Sequence, residues 1–286
     1  MQKRYRKLGG IVIGAFVAGW PSFPISAREA AQPSHVELGQ AWQNAENFLF
    51  NQAYKAFRNA NDAPARQREL GIAATLLNLQ PRTRSHLEAA KKSLQKLIDG
   101  SNSDEVAITA TYLLARMALF YEDSPQVEKA RQYYRKLLEH HAGNAVAEHS
   151  AAQLVYVDLY EPGPAAERSR RFAELETLGP LLKTSSGRLN YHLNMGNAYI
   201  DFSGPRAKAI EHFLAADAEG MTRWQIESAT WIAIGELARA EGKDALAMTY
   251  YQKFLKKYQR DNRAYTIGRF LKLLQSKAEN KPIVHP

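Results

Sequence analysis

The 286-residue chain carries 38 Lys/Arg against 29 Asp/Glu, a formal charge of +9, and no cysteine. Its length is sufficient to bury a sizeable apolar interior in one or two domains without disulfides or metal. The absence of cysteine excludes disulfide staples, thiolate metal sites, a cysteine nucleophile and a lipid anchor on an N-terminal cysteine.

At the N-terminus, Lys3, Arg4, Arg6 and Lys7 precede an uncharged stretch from Leu8 to Trp20, followed by Pro21 and Pro24. This is the layout of a secretory signal peptide, with Ile25-Ser26-Ala27 as the cleavage site and residues 1–27 as the removed segment. The apolar run is short for a membrane span, and an uncleaved anchor is the alternative. Export to a periplasmic or otherwise extracytoplasmic compartment is the expectation. Without residues 1–27, which hold four of the Lys/Arg and none of the acids, the charge falls to +5. Positions 253–281 alone carry nine Lys/Arg and two acids, so the remainder between Arg28 and Gln252 is slightly acidic.

Residues 28–35 are expected to form a flexible lead. From about Val36 onward apolar residues recur at three- and four-residue steps, the period of a buried helical stripe, and no strand pattern competes. Turn signals break this pattern at Asn61-Asp62-Ala63-Pro64, Pro81, Gly100 to Ser103, Ser124-Pro125, Gly143-Asn144, Glu161 to Pro164, Gly179-Pro180, Ser203 to Pro205, Gly220, Gly242 and Asp261-Asn262. Segments of a dozen to twenty residues between short turns imply antiparallel neighbours, roughly eleven or twelve helices in all. Only three residues separate Leu49 from Ala53, so the first unit is expected as one long or kinked helix. Residues 262–277 read as an amphipathic capping helix carrying Tyr265, Ile267, Phe270, Leu271 and Leu274, with its charged face outward, and 278–286 as a tail.

The helices repeat. A small residue followed four later by a large apolar one occurs at Ala53…Phe57, Ala90…Leu94, Ala130…Tyr134, Ala209…Phe213 and Ala247…Tyr251, with Arg168…Phe172 as a degenerate copy. One helix upstream a second set recurs, clearest as Trp231, Ile234, Gly235, Ala238, and again as His192, Met195, Gly196, Tyr199, as Leu114, Met117, Ala118, Tyr121, and as Leu70, Ala73, Ala74, Leu77. These residues resemble the tetratricopeptide repeat, whose first helix carries Trp-x2-Leu-Gly-x2-Tyr and whose second carries Ala-x3-Phe. The resemblance covers most of residues 66–258 and implies an all-α solenoid of stacked helical hairpins, spanning 36–261, that holds a protein or peptide on a concave surface. The repeat steps of 37 to 41 residues exceed the family's 34, and the proline that usually ends its second helix is missing.

No catalytic residue, cofactor site or metal site is expected. His140, His141 and His149 gather near Glu139 and Glu148, but their places at a helix end fit the helix dipole better than a ligand set. Glu227-Ser228 resembles the catalytic pair of lytic transglycosylases, without the Gly-x-Met-Gln-type stretch or the lobe that should follow. An enzyme on a helical scaffold and a membrane-tethered subunit of an envelope complex are the alternatives to a non-enzymatic adaptor. The family's carboxylate clamp is incomplete, because only Asn197 stands where one of its asparagines would. Asn190, Asn194, Asn197 and Asp201 share one helix face and are the candidate partner groove. Lys253, Lys256, Lys257, Arg260 and Arg263 are the candidate contact to an anionic membrane, polymer or protein surface. Nucleic acid is not expected as a partner.

Overall fold

The computed structural model describes residues 33–101, 103–161 and 164–279. The expected signal segment and most of the lead, along with Asn102, Pro162, Gly163 and the tail from residue 280, lie outside the described residues. The described residues are helical without strands. In chain order the helices are α1 (Pro33–Glu46), α2 (Phe50–Asn59), α3 (Ala65–Leu76), α4 (Arg84–Asp99), α5 (Glu105–Phe120), α6 (Val127–His140), α7 (Ala145–Tyr160), α8 (Ala165–Glu176), α9 (Ser185–Asp201), α10 (Arg206–Glu219), α11 (Trp224–Ala240), α12 (Asp244–Lys257) and α13 (Ala264–Glu279). Among the described residues the turn signals expected from the sequence fall between these α-helices, Gly179-Pro180 within a short 3-10 turn (Gly179–Leu181).

Local chemistry sets the ends of these helices. Thr83 and Asp104 cap α4 and α5 by accepting from the backbone N–H of His86 and Ala107. Asn144 does the same for α7 through Val146 and Ala147. Each satisfies donors that the first helical turn leaves without a partner. Gly143, Gly220 and Gly242 reverse the chain at positive φ, where a side chain would be strained.

The first hairpin corrects the expectation of one long helix. α1 and α2 are separate and pack together, the Trp42 ring meeting Phe57 edge-on at 4.8 Å between centroids. The reversal occurs at Phe48, a non-glycine residue at φ +62°. Helix α1 also begins at Pro33, two residues before the expected end of the lead.

The chain divides into two compact units, one running to Val157 with Leu181–Thr184, the other comprising Asp158–Pro180 and the residues from Ser185 on. In the first, successive helices α1 to α6 pack in antiparallel sequence, with α1 on α3 and α3 on α5 as well. In the second, α9 to α13 follow the same rule. The small-then-large positions read from the sequence form the seams: Phe57, Leu94, Tyr134, Phe213 and Tyr251 are all fully buried, as are the alanines four residues before them. Close approach requires the small residues on the facing helices. A Cβ on Gly196 would stand 2.6 Å from the Phe213 ring, and one on Gly235 would stand 2.3 Å from the Tyr251 ring. The degenerate copy behaves differently, because Arg168 lies over the Phe202 ring at 4.4 Å while Phe172, half-buried, stacks on Tyr199.

Helix α13 packs through Ile267 and Leu274. Its outward face is not purely charged, since Tyr265 and Leu273 are 76% and 65% exposed.

Candidate functional site

The four polar residues of α9 stand at three- and four-residue spacing, but the structure gives them unequal freedom. Asn190 is half-buried and its amide donates to the Ser186 carbonyl at 2.8 Å. Asn194 is half-buried, and Asn197 and Asp201 are exposed. Asp201 accepts a hydrogen bond from the Tyr160 hydroxyl. Ile200, 43% exposed, adds an apolar contact next to Asn197. The exposed part of the ladder therefore centres on Asn197 and Ile200, with an amide on one side and a tethered carboxylate on the other. On α11, Glu236, which corresponds to Asn197 in the repeat, is also exposed.

The opposite side of α9 is held by a polar network that sequence spacing alone does not reveal. Glu176 on α8 accepts from the Tyr199 hydroxyl at 2.6 Å and lies 3.1 Å from His212 Nε2, while His212 Nδ1 is 2.9 Å from His192 Nδ1. Glu176 is an acceptor at neutral pH, because burial alone would raise its pKa but the Tyr199 and His212 hydrogen bonds and Lys208 hold it below the usual range. His212 Nε2 therefore carries the proton that it donates to Glu176. The two Nδ1 atoms share one hydrogen bond, whose donor is set by the tautomers of the two rings. His192 occupies the position that Trp231 fills in the next hairpin.

Asp217 ties the following seam. It accepts from Trp231 Nε1 at 2.6 Å, the Tyr250 hydroxyl at 2.9 Å and Lys253 Nζ at 2.6 Å, joining α10 to α11 and α12. In the first unit Glu148 is 1% exposed and accepts from the backbone N–H of Gly143, Lys183 and Thr184 and from the Thr184 hydroxyl. Burial works to raise its pKa, but these four donors outweigh that and hold it low. Such carboxylates sit near helix ends in the sequence, yet their partners lie up to 36 residues away, so only the fold shows which helices each one joins.

Of the five basic candidates, three are already engaged. Lys253 pairs with Asp217, Lys257 with Glu227 and Arg263 with Asp261. Lys256 and Arg260 form no ion pair among the described residues, so the cationic field of this end is narrower than the count of its charges suggests. Glu227, in the first turn of α11, accepts from Lys257 and from the Tyr258 hydroxyl, and the Ser228 hydroxyl accepts from Arg263. Both members of the pair that resembles a catalytic acid and its neighbour are tied into the join between α11 and the end of α12.

The histidine cluster does not converge. His149 is buried within α7, while the His140 and His141 rings lie 6.5 Å apart, and Glu148 is filled by its four donors. Among the described residues no group of three or more His, Asp or Glu could hold a metal ion. Among them also, no helix is long and apolar enough to cross a membrane.

Burial pushes the pKa of His149 down to about 4, against the pull of Glu148. His192 is also pushed to about 4, by burial first and then by His212. The unfolded chain binds protons at these histidines near pH 6.5, the folded chain only near pH 4, so folding stability must fall as pH drops through that window. Thermal melts between pH 7 and 4 should show this decline, and His149→Gln with His192→Gln should flatten it. An unchanged slope in the double variant would remove these histidines as its source.

The packing of Gly196 and Gly235 against buried aromatics, in the successive hairpins α9–α10 and α11–α12, defines an all-α fold of helical hairpins. Solved structures similar to this chain are of that kind: a thermophilic TPR protein of Thermus thermophilus (18% identity, 74% of this chain and 100% of that one, TM-score 0.45) and a tetratricopeptide repeat protein of Parabacteroides merdae (16%, 87% of each chain, TM-score 0.44). The TPR domain of P58(IPK) is similar at 17% identity over 87% of this chain and 68% of that one, with a TM-score of 0.31. No family model and no curated protein matches the chain.

Proposed function

We propose that this protein is a non-enzymatic adaptor of the cell envelope that holds a peptide or a helix of another protein against the exposed face of α9. The observation that carries this reading is the exposed pair of Asn197 and Ile200 on a helix whose other side is fixed by Tyr191, Met195 and the His192–His212–Glu176 network. A rigid helix presenting an amide beside one apolar side chain can pair with a backbone amide and still bury an anchor, the combination that peptide recognition needs. Residues 1–27 support export, and Lys256 and Arg260 support attraction of the basic end to an anionic surface.

A photo-crosslinking residue placed at position 197 in the native host tests the groove against one placed at Lys92, on the outer face of α4. The proposal expects a discrete protein product from position 197 that position 92 does not give. Identical products from both positions, or none from 197, would remove α9 as the contact surface.

A further inference from the structure

Beside the basic end lies an open pocket of about 650 Å3 lined by Trp224, Lys257, Tyr258, Gln259, Arg260, Asp261 and Asn262. Trp224, the first residue of α11, is 57% exposed although it is one of only four tryptophans in the chain. It is the sort of large aromatic that a fold normally covers, and here its indole has no ring, cation or hydrogen-bond partner among the described residues. The same is true of the side chains of Gln259, Arg260 and Asn262.

The charge of this corner is positive. Lys256, Lys257, Arg260 and Arg263 outnumber Glu227 and Asp261, the acids of the same stretches. Both acids are occupied, Glu227 by Lys257 and Tyr258 and Asp261 by Arg263, which holds the Asp261 carboxyl at about 2. The Arg260 guanidinium is thus a fork of donors aimed at solvent beside a bare indole and two primary amides.

We infer that this pocket binds an acidic oligosaccharide, one bearing carboxylates on its sugar rings. The indole offers a flat apolar face against which the C–H face of a pyranose can pack, displacing water from both. Gln259 and Asn262 supply amides for ring hydroxyls, and Arg260 can take a ring carboxylate in a bidentate pair. The lining favours this ligand over the alternatives. It contains no aliphatic side chain, so a leucine or valine anchor of an acidic peptide finds no apolar socket. It is concave, whereas a lipid surface is met by protruding residues. The volume falls within the range of small-ligand sites, sufficient for a sugar ring or two. This assignment deepens the anionic-surface part of the proposed function, rests on that reading, and is independent of the α9 groove.

Calorimetry with the purified protein tests it, using tetragalacturonate, neutral maltotetraose, hexaglutamate, and vesicles containing phosphatidylglycerol. Tetragalacturonate should bind saturably at low salt and more weakly as salt rises. Loss of a stacking aromatic or of a charge-assisted pair should each weaken it by about tenfold, so Trp224→Ala and Arg260→Gln are the variants, both at exposed positions where folding is unaffected. Maltotetraose should bind at least tenfold more weakly than the acidic sugar. The inference is overturned if tetragalacturonate does not bind, if both variants bind it like the parent, or if hexaglutamate or the vesicles bind as tightly with the same dependence on Trp224. If tetragalacturonate fails while isolated envelopes still retain the protein in a salt-dependent manner, the anionic-surface reading stands and only the pocket assignment falls.

Discussion

Replacing Gly235 by leucine should destabilise the second unit by about 3 kcal/mol, the upper end of what overpacking a helix seam usually costs. The Cβ alone would stand 2.3 Å from Cε1 of Tyr251, and Tyr251 has no accessible surface through which to retreat. Either the α11–α12 hairpin opens or the ring is expelled, and both lose buried aromatic area. Gly235→Ala meets the same clash with a single methyl, partly offset by the roughly 1 kcal/mol that alanine gains over glycine inside a helix. A cycle with Tyr251→Leu locates the effect: the Gly235→Ala/Tyr251→Leu double variant should be more stable than the two single losses added together. Additive losses would mean that Gly235 and Tyr251 do not share a seam.

The second large effect is expected at Glu148. Glu148→Ala leaves the N–H groups of Gly143, Lys183 and Thr184 and the Thr184 hydroxyl without their common acceptor. Removing one side of a buried charged network typically costs about 3–5 kcal/mol, and the first unit should lose about that much. Glu148→Gln is nearly isosteric but turns an amide NH2 toward groups that are themselves donors, so it should recover only part of the loss. The low pKa of Glu148 in the fold gives the effect a sign with pH. Its stabilisation is full above the unfolded carboxyl pKa and is lost as pH falls through the folded value. Denaturant melts of the parent and Glu148→Gln should therefore converge at low pH. Parallel curves down to about pH 2, below the ordinary carboxyl range, would show that the carboxylate charge is not what these donors hold.

The hairpins were legible in the sequence because their cause is local. A glycine or alanine at the crossing point and an aromatic on the partner helix recur at steps that survive in the primary structure, and the breaks carry Gly, Pro or Asn. The first reversal was not legible, because Phe48 takes a conformation usually left to glycine and only the lone Asn47 beside it signals a turn. The α9 ladder could be read from spacing, but not the difference among its members, which depends on Ser186 and Tyr160. The ion pairs of the basic end were hidden for a similar reason. The acids that neutralise Lys253 and Lys257 lie 36 and 30 residues upstream, so charge counted in a window of the sequence missed them. The exposure of Trp224 has no signal in the sequence, where an isolated tryptophan at a helix start has the pattern of a core residue.

The measurement that bears most directly on the adaptor account is the affinity of whatever protein crosslinks from position 197 for the parent and for Asn197→Ala/Ile200→Ala. One amide contact and one apolar contact of ordinary strength predict a weakening of about tenfold or more, with helicity and melting unchanged. Equal affinity for parent and variant would contradict the account, since the exposed face of α9 would then contribute nothing to holding the partner.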